Sequence, residues 1–486
     1  MLSLSKHEGV FPTCESNNPM NLTAFMDRIW DKDVIPTLAE YIRIPNVSKM
    51  FDPDWEKHGH MMKAVALFEA WAKKHVAKLP GAKVEVVKPA GRTPLIFIEV
   101  PGTAPGTVLL YGHLDKQPEM KGWSNDLGPW TPVLRDNKLY GRGGADDGYA
   151  MFAAISALLA LQEAGTPHAR CVITIEAAEE SGSPDLPFFI EHLKDRIGKV
   201  DLVVCLDSGC GNYDQLWLTT SLRGIAAGTL SIRVLNEGVH SGDASGIVPS
   251  SFRILRRLLS RIEDEVTGEM KPREFFVTVP DDRKRQAREA AGALKDEIFN
   301  KLPFAGSTRP MSENHEELIL NRTWKPQLAV IAMDGYPTPE SAGNVLLPFT
   351  AAKLSLRTPP TCDAAATVAT LKRLLEADPP YHAEVRFDPL PGQTGWNAPV
   401  SAPWLDKALS QASQTHFGQP AAFMGEGGSI PFMAMLGEKF PGTQFVVTGL
   451  LGPGSNAHGP NEFLHIPAAK KVSASIADIL AAHARK

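Results

Sequence analysis

Residues 107–115 read TVLLYGHLD, and the class of the fold turns on them. A short apolar, β-rich run bounded by Gly106 on one side and Pro118 on the other reads as a strand buried on both faces. Strands buried on both faces belong to sheets that helices cover. The same texture returns in VEVVK (84–88), LIFIEV (95–100), CVITIEA (171–177), DLVVCLD (201–207) and FVVTGL (445–450). Helical patterns alternate with these runs at 148–165 and 186–198, and a last helix is expected over 467–484. Strand–helix alternation predicts crossover units and a mostly parallel sheet, an α/β fold. Ahead of the sheet, a helix is expected after the N-cap Asn21, broken at Pro36, and a second over about 57–79.

Near residue 221 the pattern changes. IAAGTLSIRVL (225–235) alternates like a strand with one wet face, and further strands are expected at 328–333, 349–357 and 381–388. Helices are expected after Pro249 and over 364–376, and a charged section at about 264–325 reads as irregular. This α+β stretch interrupts the α/β chain. The simplest division is a catalytic domain built from 21–220 and 393–486, with a second domain inserted at 221–392. Residues 1–20 read as a disordered leader, or as an upstream start before Met20.

Composition narrows the function classes. Of the 486 residues, 43% are hydrophobic and 22% charged, so the chain can bury a sizeable core. Fifty Lys and Arg against 55 Asp and Glu leave −5, which argues against a general nucleic-acid or membrane-surface binder. No apolar run reaches the length of a membrane span. The five cysteines, Cys14, Cys171, Cys205, Cys210 and Cys362, are odd in number and widely spaced. They fit neither a disulfide framework nor a thiolate zinc site. Without a signal-peptide pattern at the start, cytoplasm is the expected compartment.

Acids and imidazoles gather at the ends of the expected strands. His113 and Asp115 follow TVLLYG, Glu179 and Glu180 follow CVITIEA, and Asp207 ends DLVVCLD. The loop GRGGADDG (141–148) sets Asp146 and Asp147 before a helix, and GSNAHG, with His458, follows FVVTGL. In open α/β sheets, ligands bind outside the carboxyl ends of the strands. Each piece alone has an ordinary reading: an N-cap, a surface pair, a turn. Their recurrence at successive strand ends points to one site. Six carboxylates and two imidazoles, with Arg142 the one fixed cation in those segments, would repel unless divalent metal joined them. An oxygen and nitrogen donor set suits zinc, and could also hold cobalt or manganese. No HExxH, GxxxxGK[ST] or GxSxG occurs. GPGSNA (452–457) matches a dinucleotide loop in letters, but Gly459-Pro460 comes where a helix would have to open.

The motifs YGHLDKQP, GRGGADDG, EAAEESGS, LDSG and NAHGPNE, in this order, resemble the M20 metallopeptidases. GEGGSIPF (425–432) and the long middle section are most similar to the carnosine dipeptidase, or cytosolic non-specific dipeptidase, branch. The resemblance spans about residue 22 to the C-terminus. It implies a di-zinc, phosphorylase/hydrolase-like α/β catalytic domain with an inserted lid domain that also dimerises.

By motif, the resemblance implies two divalent ions: His113 and Asp207 on one, Glu180 and His458 on the other, Asp146 bridging. The Asp146–Asp147 peptide would be cis. Asp115 would orient the His113 ring, and Glu179 would be the general base, then acid. His240, in VHSGDASG (239–246), would reach the active site of a partner subunit. Arg357, in SLRT, would bind a substrate carboxylate, and Gly427, Gly428 and Ser429 could offer backbone N–H groups to it at a helix start. Two positions depart from the family: Gly148 stands where Lys is common, and Gly425 where carnosinase relatives have Arg. The activity implied is hydrolysis of dipeptides or short peptides with a free C-terminal carboxylate. The alternative is an amidohydrolase of the same fold that removes N-acyl or N-carbamoyl groups from amino acids. A catalytically dead binding protein would not need the full set of ligands and base.

Overall fold

The computed structural model describes residues 21–486, so the expected leader at 1–20 lies outside the described residues. Its principal strands, in chain order, are β1 (Lys83–Val87), β2 (Leu95–Val100), β3 (Ala104–His113), β4 (Ala169–Glu176), β5 (Leu202–Cys205), β6 (Trp217–Leu222), β7 (Gly224–Arg233), β8 (Gln327–Asp334), β9 (Phe349–Thr358), β10 (Glu384–Pro389), β11 (Ala422–Glu426) and β12 (Gln444–Val447). Four helices matter most below: α1 (Ala150–Glu163), α2 (Asp281–Leu294), α3 (His315–Thr323) and α4 (Ile466–His483).

Six strands form the main sheet in the order β1-β2-β4-β3-β5-β12. The pairs β4–β3, β3–β5 and β5–β12 are parallel, and β1 and β2 add antiparallel edge pairing. The register brings the carboxyl ends level: His113 lies opposite Glu176, and Tyr111 opposite Cys205. Loops that leave β3, β4 and β5 therefore open on one rim, as the strand-end pattern in the sequence requires. α1 is buried almost all round, from Ala150 to Leu161, because it lies between the sheet and α4. Its near-uniform apolar sequence follows from that position.

A second, antiparallel sheet has the order β8-β9-β7-β10. It has its own core, in which Ala226, Leu230 and Ile232 of β7 meet Ile254, Leu258, Leu371 and Leu375 from two helices. The fold is thus mixed α/β with a separate α+β unit at the interrupted stretch.

Three details differ from the sequence reading. The first helix breaks one turn ahead of Pro36, at a π-helical segment Trp30–Val34. Pro36 then sits in the first turn of the next helix, Ile35–Ile42, where its missing N–H has no intrahelical role. The section 264–325 is not irregular, since it holds α2 and α3. Ala287, Ala290, Ala291 and Leu294 recur at helical spacing and bury against Trp217 and Met424, a stripe that the charged residues between them conceal. The strands β6 and β11, which pair in parallel, were not foreseen.

Candidate metal centre

The centre is built on the level rim of the main sheet. β3 delivers His113, fully buried, and Asp115 two residues on. Tyr41 Oη and Asn46 Nδ2 donate to the Leu114 carbonyl at 2.8 and 2.6 Å, which fixes the loop between them. The turn before α1 delivers Asp146 and Asp147 across a cis peptide bond. Asp147 is buried, and its Oδ2 accepts from the His113 backbone N–H at 3.3 Å. It is not the helix cap that its position suggested: no side chain caps α1, and Asp147 ties the start of that helix to β3.

Asp146 lies between both imidazoles. His113 Nε2 is 3.3 Å from Asp146 Oδ1, and His458 Nε2 is 3.0 Å from Asp146 Oδ2. Asp207 Oδ2 is 3.7 Å from His113 Nε2, and Glu180 Oε2 is 3.3 Å from His458 Nε2. Two donor triplets result, His113/Asp146/Asp207 and Asp146/Glu180/His458, each with its donor atoms within 4.8 Å of one another. They share Asp146.

Divalent ions fit this arrangement on three counts. His113 Nε2 is buried and has no hydrogen-bond partner, although two carboxylates face it. The donors are the imidazole and carboxylate groups that zinc, cobalt and manganese accept. The electrostatics also ask for positive charge. Burial, then the Asp207 carboxylate, pushes Asp147 and Glu179 well above the usual carboxylate range. Burial, then Asp146, does the same to Glu180. Burial alone would lower both His pKa values, yet the surrounding acids raise them. Without cations, the centre would take up protons instead.

Asp115 does more than orient a ring. Its carbonyl oxygen lies 3.2 Å from His113 Nδ1 and its Oδ1 3.5 Å away. Its carboxylate also accepts the backbone N–H groups of Glu179, at 3.1 Å, and Glu180, at 3.0 Å. One buried acid thereby ties the β3 loop to the turn that carries both glutamates. Glu179 belongs to neither triplet.

The structure adds contacts that the sequence did not assign. Gln117 Nε2 donates to Glu180 Oε2 at 2.6 Å. Arg142 pairs with Glu462, and its Nη2 donates to the Gly459 carbonyl at 2.9 Å, so the ADD loop and the His458 loop are clamped together. Both lie inside quoted motifs, but no spacing rule links positions so far apart. The two departures from the family have a steric cause. A Cβ at Gly148 would lie 2.4 Å from Tyr41 Cε1, and one at Gly425 would lie 2.4 Å from Ser221 Oγ.

The remaining candidates lie elsewhere. Arg357, at the end of β9, has Nη1 3.3 Å from Ser429 Oγ. Ser429 Oγ donates to the Arg223 carbonyl at 2.6 Å. The carbonyls of Gly427 and Gly428 accept from Arg223 Nε and N at 3.1 Å each. Gly427–Ser429 precede the helix Pro431–Lys439. His240 is exposed, in a two-residue strand opposite Val345, and belongs to neither donor triplet.

The chain is 28% identical over 372 residues to the cysteinylglycine-S-conjugate dipeptidase of Corynebacterium striatum, covering 74% of this chain and 77% of that one. It is 26% identical over 440 residues to the human Beta-Ala-His dipeptidase, covering 84% and 81%. Among solved structures, the di-peptidase Dug1p of Saccharomyces cerevisiae superposes with a TM-score of 0.76 at 21% identity, over 97% of this chain and 99% of that one. Sso-CP2, an M20 metallo-carboxypeptidase of Sulfolobus solfataricus, gives 0.75 at 19% identity, over 94% and 100%. Residues 109–482, which hold every donor in both triplets, match peptidase family M20/M25/M40, and the chain belongs to that family.

Proposed function

We propose that this protein hydrolyses the peptide bond of dipeptides or short peptides with a free C-terminal carboxylate. The observation that carries the reading is the sharing of Asp146 between two donor triplets. The names of the two relatives, both dipeptidases, support it. His113, Asp146 and Asp207 would hold one divalent ion, and Asp146, Glu180 and His458 the other, zinc being the first candidate. Bound there, the ions would supply Lewis-acid polarisation and an acidified water.

The chain's own groups do the rest. Glu179 accepts the proton that the attacking water loses, then returns it to the amine nitrogen as the C–N bond breaks. Asp115, through its two backbone hydrogen bonds, keeps Glu179 and Glu180 in a fixed relation. Arg357 binds the substrate's terminal carboxylate, with Ser429 at its side. Gly427 and Gly428 shape that turn.

Residues 221–392 act as the lid of a catalytic domain made from 21–220 and 393–486, and they carry a homodimer contact. Two features support the dimer. The edge strand β8 exposes Val330, Ile331 and Met333 by 44%, 58% and 50%. An uncovered apolar edge is a pairing surface. His240 is also exposed and belongs to neither of the chain's own donor triplets. Cytoplasm remains the compartment for this reading. Its support is that Cys171, Cys205, Cys210 and Cys362 are buried free thiols. Among the described residues, no helix is long and apolar enough to cross a membrane.

The test is a panel of dipeptides, C-terminally amidated dipeptides and N-acyl amino acids, assayed with added zinc, cobalt or manganese. Free dipeptides are expected to be cleaved about 10- to 150-fold better than amidated ones, the worth of one hydrogen bond to a charged group. Arg357→Ala is expected to lose a similar factor on the free dipeptide. Turnover of N-acyl amino acids alone would replace the dipeptidase reading with the deacylase one.

A further inference from the structure

Arg223 lies between β6 and β7 and is 9% exposed. Its Nε and backbone N–H are used on the Gly427 and Gly428 carbonyls, but Nη1 is buried with no hydrogen-bond partner. Arg357 pairs in register with Ile225, two residues beyond Arg223. Ser429 links the two arginines: its Oγ donates to the Arg223 carbonyl at 2.6 Å and lies 3.3 Å from Arg357 Nη1. Arg322, near the end of α3, comes from the other side. Its Cγ and Arg223 Nη2 are each 3.2 Å from the position a Cβ on Gly427 would take. Arg322 Nη2 donates to Met424 Sδ at 3.2 Å, and its Nε is buried without a partner.

Three arginines thus border the 424–429 segment: Arg223 at Gly427, Arg322 at Met424 and Gly427, and Arg357 at Ser429. One carboxylate stands by them: Glu426, whose Oε2 is 4.0 Å from Arg322 Nη2. Its Oε1 lies 2.7 Å from where Gly209 would carry a Cβ, two residues after the metal-ligand candidate Asp207. Glu426 therefore connects the cluster to the turn that follows Asp207. Burial, then the charges of Arg357 and Arg322, pushes the Arg223 pKa down to about 10. Buried guanidinium N–H groups without acceptors are costly, and Arg223 Nη1 and Arg322 Nε both lack one.

We infer that the pocket selects dipeptides whose C-terminal residue is itself acidic, aspartate or glutamate: Arg357 takes the main-chain carboxylate, and Arg223 with Arg322 takes the side-chain carboxylate over the bare Gly427. This specificity rests on the dipeptidase reading above. Gly427 matters because a side chain there would fill the space between the Arg223 guanidinium and the Arg322 stem.

The test compares kcat/KM for Ala-Glu and Ala-Gln, which differ by one charge, on the metal-loaded full chain. Ala-Glu is expected to be favoured at least about tenfold, the worth of a charge-assisted bidentate contact. Arg322→Gln and Arg223→Gln should each bring that ratio toward one. Arg322 makes no backbone hydrogen bond, so its variant does not disturb the Gly427 turn as loss of Arg223 would. Calorimetric titration of metal-loaded Glu179→Gln with L-glutamate and L-glutamine supplies a readout without turnover, and glutamate should bind at least about tenfold tighter. Dipeptide cleavage with no acidic preference in either assay overturns the specificity and leaves the dipeptidase reading standing. A preference that survives both Arg variants overturns the assignment to these residues. No dipeptide cleavage, with a glutamate preference that Arg322→Gln removes from the titration, keeps the pocket and overturns the dipeptidase reading. Failure of both measurements overturns both.

Discussion

Glu179 and Glu180 are adjacent in sequence and donate their backbone N–H groups to the same buried acid, yet only Glu180 has an oxygen beside His458 and Asp146. That difference predicts separate phenotypes. Glu179→Gln should retain two metal equivalents by elemental analysis while turnover falls roughly 10²- to 10⁴-fold, the usual worth of general acid–base catalysis. Glu180→Gln should lose metal instead, to about one equivalent, because an amide is a poor substitute for a carboxylate ligand. A reversed pattern would exchange the roles of the pair. At this scale His113, Glu180, Asp207 and His458 were legible because each comes after a short apolar run whose strand ends on one rim, and Asp146 because it sits in a Gly-rich loop before a helix. The groups that hold the donors were not. Arg142 finds Glu462 across 320 residues of chain, and Gln117 finds Glu180 across 63, separations that no local spacing encodes. Arg223 was missed for another reason: β6, the strand that it follows, was itself not foreseen.

At the scale of elements, the strands and helices with uniform texture came through, and those with mixed texture did not. β3, β4 and β5 are buried on both faces and consist of apolar runs. α2 is wet on most of its surface, so its alanine stripe was hidden among Asp, Arg and Lys. Joints between elements are equally silent in sequence, and Asp185 is an instance. It lies at the start of the helix Leu186–His192 and accepts from Lys49 Nζ at 2.7 Å, Arg92 Nη1 at 2.8 Å, and Thr93 N and Oγ1 at 3.1 and 3.0 Å. It therefore joins three segments. Burial alone would raise its pKa, but Lys49, the Thr93 N–H and Arg92 outweigh it and hold the carboxyl below the usual range. A carboxyl depressed in the folded state stabilises the protein above its unfolded pKa of about 3.9, and that contribution is lost as pH falls through the folded value. Asp185→Asn should cost roughly 2 kcal/mol at neutral pH, the scale of a hydrogen-bonded charge. In thermal melts, the gap between wild type and variant should close as pH falls below about 4. A gap independent of pH would assign the loss to packing.

For the whole molecule, the open question is which chain completes the active site. His240 lies in the interrupted stretch, exposed, beside the α+β sheet whose edge strand β8 shows apolar side chains to solvent. A residue that acts on a substrate must approach the metal centre, yet His240 belongs to neither of its chain's own donor triplets. A two-fold dimer formed along β8 would cover the apolar edge and carry each lid toward the other catalytic unit. The consequence is measurable by complementation. His240→Ala and Glu179→Gln homodimers should each be nearly inactive. After subunit exchange, a heterodimer would contain one site with both defects and one with neither. A statistical mixture is half heterodimer, so activity should recover toward about a quarter of the wild-type value per chain, the share of intact sites. Exchange is followed independently by native mass spectrometry of the mixed species. Proven exchange with no recovery would mean that each chain closes over its own centre, and the homodimer contact would then have no part in catalysis. Recovery abolished by a charged substitution on the edge, such as Ile331→Glu, would tie the completed site to that strand.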